Sequence, residues 1–132
     1  MNALTAKIFR ITLEVSSIDE ASAFYAKLLG ADGKRHPGSR HYFQCGSVIL
    51  SLLDPTAGGL PPTPCPKSLY FAVRDLEPIY TRARDLKALA PYKVHGEPAG
   101  TVTKRPWGER SFYVVDPWGN DLCFVEEDTL YT

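Results

Sequence analysis

The side chains able to bind a metal or attack a substrate are few and scattered. Histidine occurs only at His36, His41 and His95. His36 sits in a Pro/Gly loop. His41 and His95 stand far apart, with neither the one-turn spacing of a helical ligand pair nor hairpin spacing. Each reads as a surface or hydrogen-bonded structural histidine. The cysteines are Cys45, Cys65 and Cys123. An odd count without a CxxC pair fits neither a disulfide framework nor a zinc site. Cys123 has no neighbouring histidine or cationic motif to activate it, so it reads as a small buried hydrophobe rather than a nucleophile. No GxSxG, Walker or dinucleotide fingerprint occurs, and Gly58-Gly59 is too short and too proline-flanked to cradle phosphate. Arg10 and Glu14 alternate onto one face of the first apolar stretch. They form either an internal ion pair, the default for a buried charge, or a site in which the planar Arg10 fork grips an acidic group of a ligand.

The elements that must position these groups follow from periodicity. Ile11, Leu13 and Val15 alternate with Arg10, Thr12 and Glu14, which predicts a strand over Ile8 to Val15 with one apolar face. Ser17 and Glu20 have capping-box spacing, and Ala21, Phe24, Tyr25, Leu28 and Leu29 recur at helical spacing until Gly30. A polar loop through Arg35 to Gly38 leads to strands over His41 to Cys45 and Val48 to Leu53. Asp54 to Pro66 holds five prolines and two glycines, so it reads as a linker, neither helix nor central strand.

The pattern then restarts. Leu69, Phe71 and Val73 give a strand face, Asp75 takes an N-cap, and Leu76, Ile79, Tyr80, Ala83 and Leu86 give a second amphipathic helix that ends by Pro91. A strand around Tyr92 to His95 precedes a hairpin of Ser111 to Val115 and Leu122 to Val125, turned at Asp116-Pro117-Trp118-Gly119. Val15 matches Val73, Ser17 matches Asp75, Ile18 matches Leu76 and Leu28 matches Leu86 at one offset, and Leu50-Ser51-Leu52 answers Leu122-Cys123-Phe124. The chain is a weak internal duplication of a βαβββ unit. Several strands per helix favour mixed α+β over a parallel α/β sheet. The first unit spans residues 7–53, the linker 54–66 and the second unit 67–127.

Composition bounds the function. The 132 residues carry a formal net charge of +0 and a pI near 6.8, so no global field recruits nucleic acid or anionic membrane. No apolar run approaches the roughly 20 residues of a membrane span, and the first residues lack the apolar core of a signal peptide. With the sparse cysteines, a cytoplasmic setting is expected.

The wording of the hairpin is more specific than its turn chemistry. Pro106-Trp107-Gly108-Glu109-Arg110, a short strand, then Asp116-Pro117-Trp118-Gly119-Asn120 with Leu122, Phe124 and Glu126 resembles the C-terminal hairpin of the glyoxalase/bleomycin-resistance/dioxygenase superfamily, the vicinal-oxygen-chelate fold. The Pro106-Trp107-Gly108 start looks most like the bleomycin-resistance branch. The resemblance implies two βαβββ modules curling a mixed sheet around a concave cleft, with the helices on the convex side. It also implies a divalent-metal site at positions that here are Arg10, Ser51, Ser68 and Cys123. Arg10 has no lone pair to offer, serines are poor divalent ligands and Cys123 alone builds no site. No metal and no other cofactor is therefore expected.

Period-two alternation sends Arg10, Thr12, Glu14, Ser51, Ser68, Tyr70, Asp121 and Cys123 to the face opposite the helices. These residues form a small-molecule wall or fill a barrel or dimer interface. Trp107 matches a groove tryptophan of the bleomycin-binding relatives, or is a packed loop aromatic. The expected function is metal-free binding or sequestration of a small organic ligand, anionic and aromatic, as in antibiotic resistance. The alternative is a lyase, isomerase or dioxygenase-like enzyme of the same fold, using a metal or a Glu14–Arg10 acid/base pair. A homodimer is expected, because curled sheets leave strand edges and an apolar cleft for a second copy to cover.

Overall fold

The computed structural model describes residues 5–132. The first module runs β1 (Arg10–Glu14), α1 (Ile18–Leu29), β2 (Lys34–His36), β3 (Arg40–Cys45) and β4 (Val48–Leu53). The second runs β5 (Leu69–Val73), α2 (Leu76–Asp85), a hairpin of β6 (Lys93–Val94) and β7 (Glu97–Pro98), then β8 (Thr103–Lys104), β9 (Arg110–Val115) and β10 (Asp121–Glu126). The sheets have orders β1-β4-β3-β2 and β5-β10-β9-β8, each with one parallel pairing between its first and last long strands. This is the α+β arrangement expected of two βαβββ modules. The two sheets are not closed into one: β1 and β5 are both edge strands.

The apolar stripes dictate one shared core. Leu13, Val15, Leu50, Leu52, Leu122 and Phe124 from the strands meet Phe24, Tyr25 and Leu28 of α1 and Leu76, Ile79 and Ala83 of α2 in a single cluster. Removing each large apolar side chain from water contributes about 1.5–3 kcal/mol. Leu69, Phe71 and Val73 pack on this cluster but stay partly exposed. Ser17 Oγ accepts the Glu20 N–H at 3.3 Å, and Asp75 accepts the Glu77 N–H at 3.1 Å, so both predicted caps form. Gly33 is required where it stands. Its φ is +66°, and a Cβ there would lie 2.7 Å from the Tyr42 carbonyl.

The structure departs from the periodicity in four places. Lys34–His36 is a strand paired with β3, because Lys34 opposite Tyr42 closes a hairpin that polar composition alone conceals. Residues Pro55–Gly58 of the linker form one 3₁₀ turn, capped by Asp54 on the Thr56 N–H. Helix α2 stops at Asp85, six residues before Pro91. Lys87 adopts φ 56°, and the Lys87 and Ala88 N–H groups close onto the Arg84 and Ala83 carbonyls. This Schellman arrangement, with a lysine in the glycine position, ends the helix without help from the proline. Finally, Lys93–Val94 pairs only with Glu97–Pro98. The place beside β9 is taken instead by the Leu89 bridge to Val114 and by β8.

The Asp116–Asn120 turn proves to be a junction as well as a hairpin. Asp116 and Asn120 are buried. Asp116 carboxylate oxygens accept the Tyr25 hydroxyl at 2.7 Å, the Trp118 and Asn120 N–H groups and the Asn120 amide. The Asn120 amide also donates to the Glu14 carbonyl and accepts the Cys65 N–H, both at 2.9 Å, while the Trp118 indole donates to Ser16 Oγ. One turn thus ties β10 to α1, to the end of β1 and to the linker. Burial, with the Asp116 charge beside it, holds the Tyr25 hydroxyl well above the usual phenol range.

Candidate functional site

On the first module the helix-free face is open. Arg10 is exposed, with its guanidinium carbon 5.0 Å from the Phe9 ring centroid and 5.8 Å from that of Tyr42. Among the described residues its one side-chain hydrogen bond is a long 3.5 Å contact to the Tyr42 hydroxyl. The Arg10–Glu14 pair does not form. Four residues of strand span about 13 Å, and Glu14 is engaged elsewhere, its Oε1 accepting the Thr63 N–H at 2.9 Å. An exposed guanidinium beside two aromatic rings, with most of its donors unengaged among the described residues, suits a planar acceptor such as a carboxylate. Ser51 is 2 % exposed. In register between Thr12 and Tyr42, it lies at the floor of this face. His36 stacks on Tyr42 at 4.2 Å between centroids.

On the second module the corresponding face is largely covered. Ala90, Ala99 and Val94 fold over Tyr113, Cys123 and Val125 to make a second small core. Cys123 is therefore fully buried, and burial pushes its thiol up to about 11. Arg105 fastens this cover. It is 2 % exposed. Its N–H groups reach Ser111 Oγ and the Ala99, Thr101 and Ser111 carbonyls at 3.0–3.2 Å, and its guanidinium carbon lies 5.3 Å from the Tyr113 ring centroid. At the rim, Ser68 Oγ and the Tyr92 hydroxyl both donate to the Asp121 carboxylate. Tyr70 and Tyr113 share a hydroxyl contact of 3.4 Å. Burial raises the Tyr92 and Tyr113 hydroxyls above the usual phenol range, aided by Asp121 and by Tyr70 respectively.

Trp107 reaches the same side. Its indole donates to Glu109 Oε1 at 2.7 Å, and it lines a cavity of about 380 Å³ with Tyr70, Val125 and Tyr131. A larger cavity of about 710 Å³ opens between the modules on the helix-facing side, among Ile11, Phe43, Leu50, Leu69 and Phe71. Its walls are mainly apolar, with Gln44, Cys45, Tyr70, Asp75 and Arg82 among the lining residues. The convergent polar groups that orient a ligand lie on the helix-free faces.

Of the predicted residues, Arg10 and Ser51 share the first module's face, Ser68, Tyr70 and Trp107 line the second, and Glu14 and Cys123 are tied up or covered. Phe9, Tyr42, Tyr113, Tyr92, Arg105 and Glu109 were not among the predicted ligand residues. Extending the alternation to β3 and β9 would have found Tyr42 and Tyr113; the loop residues Tyr92 and Arg105 carry no periodic signal. The residues at the four positions where the resemblance implies a divalent metal do not fit one. Arg10 has no lone pair, Ser51 is buried, Ser68 is bonded to Asp121 and Cys123 holds its proton. The histidines are also engaged: Arg35 Nε donates to His41 Nδ1, which leaves Nε2–H to donate to the Asp32 carbonyl at 2.8 Å, and His95 packs on Trp107. Among the described residues no three His, Cys, Asp or Glu side chains gather as a metal site.

No curated protein matches the chain closely enough to count as a relative. Several solved structures share its fold. An oxidase, ChaP-H1, superposes with a TM-score of 0.73 at 22% identity, covering 92% of this chain and 95% of its own. A glyoxalase/bleomycin resistance protein from Albidiferax ferrireducens T118 gives 0.64 at 20% identity, covering 89% and 97%. A lactoylglutathione lyase from Agrobacterium tumefaciens gives 0.61 at 24% identity, covering 94% and 95%. At these identities the likeness shows the fold alone. The profile of the Glyoxalase/Bleomycin resistance protein/Dioxygenase superfamily matches residues 7–124, so the chain belongs to that superfamily.

Proposed function

We propose that this protein binds and sequesters a small organic ligand without a metal, in the manner of the bleomycin-resistance branch of its superfamily. The observation that carries the reading is Arg10: an exposed guanidinium with no carboxylate partner among the described residues, set beside the Phe9 and Tyr42 rings. An aromatic or aliphatic body with an acidic group complements that arrangement, the acid on the fork and the body on the rings. The test is a thermal-shift screen of chelator-treated protein over bleomycin-type glycopeptides, other natural-product antibiotics and aromatic carboxylates. A ligand that binds only the folded state raises the melting temperature by mass action. The reading expects hits with acidic groups. A screen that stabilises only metal-loaded protein would overturn it.

An enzyme of the same fold, a lyase, isomerase or dioxygenase-like catalyst, is the second reading. The observation in its favour is the Tyr92–Asp121 contact, a phenol and a carboxylate placed for proton exchange at the rim of the second module. Mass spectrometry of screen hits after incubation decides between the two: recovery unchanged supports binding, conversion supports catalysis. We further infer a homodimer in a reduced, cytoplasmic setting. The free edges of β1 and β5 and the apolar groove between the modules are what a second copy would cover. Light scattering at micromolar concentration is expected to give twice the chain mass; a monomer alone would refute the dimer.

A further inference from the structure

We propose that the cavity beneath Trp107 takes a small alkylammonium group. The inference rests on the helix-free faces being the ligand surface, but it concerns a different subsite from Arg10 and ligand chemistry of the opposite sign. The cavity holds about 380 Å³, within the range of small-molecule sites and sufficient for a substituted ammonium head with a short tail. Four aromatic residues, Tyr70, Phe71, Trp107 and Tyr131, line it, and Val125 and Leu130 contribute aliphatic surface. Tyr70 and Tyr131 are 55 % and 72 % exposed, so the rings stand open to an incoming group.

Charge supplies the second argument. Among the described residues, Glu109 is the one ionisable acid and no Lys, Arg or His lines the cavity. Glu109 accepts two hydrogen bonds, from the Trp107 indole at 2.7 Å and from the Tyr131 N–H at 2.9 Å. Both donors are neutral, so neither brings a positive charge to offset this acid in the lining of an aromatic pocket. Arg105, the nearby buried cation, has its Nε and Nη2 groups on Ala99, Thr101 and Ser111 oxygens, its Nη1 is buried without a partner among the described residues, and it does not line the cavity. Aromatic faces attract a cation through their quadrupole, most strongly when one is tryptophan. An alkylated ammonium loses less hydration than a bare one on entering such walls, whereas an anion would meet Glu109 and the negative ring faces.

The probe pair is choline and its neutral isostere 3,3-dimethylbutan-1-ol, titrated separately and followed by two-dimensional NMR shifts. The proposal expects saturable choline binding about tenfold tighter than the alcohol, with shifts centred on Tyr70, Trp107 and Tyr131. Glu109→Gln keeps an acceptor for the indole and removes the charge; it should weaken choline about tenfold and leave the alcohol unchanged. Tyr70→Leu, on an exposed edge-strand position, should weaken choline severalfold and serves if the Gln variant fails to fold. Arg10→Met should leave choline binding intact. No saturable choline binding, equal affinity for the alcohol, or choline binding unaffected by Tyr70→Leu would overturn the proposal. Acidic hits from the screen that still depend on Arg10 would then leave the sequestration reading standing, so the two ideas fail separately.

Discussion

The two modules share a fold and a register yet present opposite helix-free faces. In the first, Thr12, Ser51 and Tyr42 lie across neighbouring strands and the surface is open, with Arg10 exposed. In the second, Tyr70, Cys123 and Tyr113 occupy the same places, and the surface is covered over Cys123 and Tyr113 while Tyr70 stays exposed. The difference lies in the segment between helix and hairpin. In the first module, Gly30 to Ser39 is just long enough to add β2. In the second, Leu86 to Glu109 supplies an extra layer, pinned by Arg105 to β9. A duplicated core pattern therefore constrains the face that meets the helices and leaves the other face to be set by loop length. One module became an open, charged surface; the other became a largely covered, aromatic one with a small cavity beside Trp107.

The largest effect is expected at the junction that joins the modules. Asp116→Ala removes the acceptor of four hydrogen bonds and leaves buried donors on Tyr25, Trp118 and Asn120 unsatisfied. Urea unfolding should show a loss of about 3–5 kcal/mol. A loss below 1 kcal/mol would mean the modules do not depend on this turn.

Alkaline pH separates the faces next. The folded Cys123 thiol titrates near 11 against an ordinary 9.0, and the Tyr25, Tyr92 and Tyr113 hydroxyls are also raised. The folded state thus holds protons that the unfolded chain releases first. Stability from these groups is complete below pH 9 and falls as pH rises toward 11 and beyond. The thiol alone accounts for about 2–3 kcal/mol at the upper end. Cys123→Ala should flatten that descent between pH 9 and 11, and an unchanged slope would show that the cover over the second face is loose.

The cover itself is tested by Arg105→Met. It deletes four hydrogen bonds to Ser111, Ala99 and Thr101 while keeping the apolar stem. A destabilisation of about 1–3 kcal/mol is expected, with faster amide exchange at Ala99 and Tyr113, whose backbones bond each other. Exchange that accelerates evenly over both modules would contradict a local role.

Much of this was legible in the chain. The core strands, both helix caps and the duplication follow from Leu13, Leu50, Leu69 and Phe124 alternating in register, because the burial of one sheet face imposes a period of two. The Asp116–Gly119 turn was legible as a turn, but its grip on Tyr25 and Glu14 was not, since those partners are distant in sequence. Of the two alternatives left open for Arg10, the pair with Glu14 does not form, for a geometric reason: sharing a strand face does not bring residues four apart within reach. The cover from Ala90 to Arg105 was invisible because short strands and single bridges leave no period to read.

The central claim is that the open first-module face is the ligand surface and that Arg10 is its anchor. The direct measurement is calorimetry of the tightest acidic screen hit against wild-type and Arg10→Met protein, each with and without chelator. Arg10 is exposed, so the variant should keep wild-type stability within about 0.5 kcal/mol. The account predicts that binding weakens by about 1.5–3 kcal/mol in Arg10→Met and is indifferent to chelator. Equal affinity in the two proteins, or affinity abolished by chelator, would contradict it.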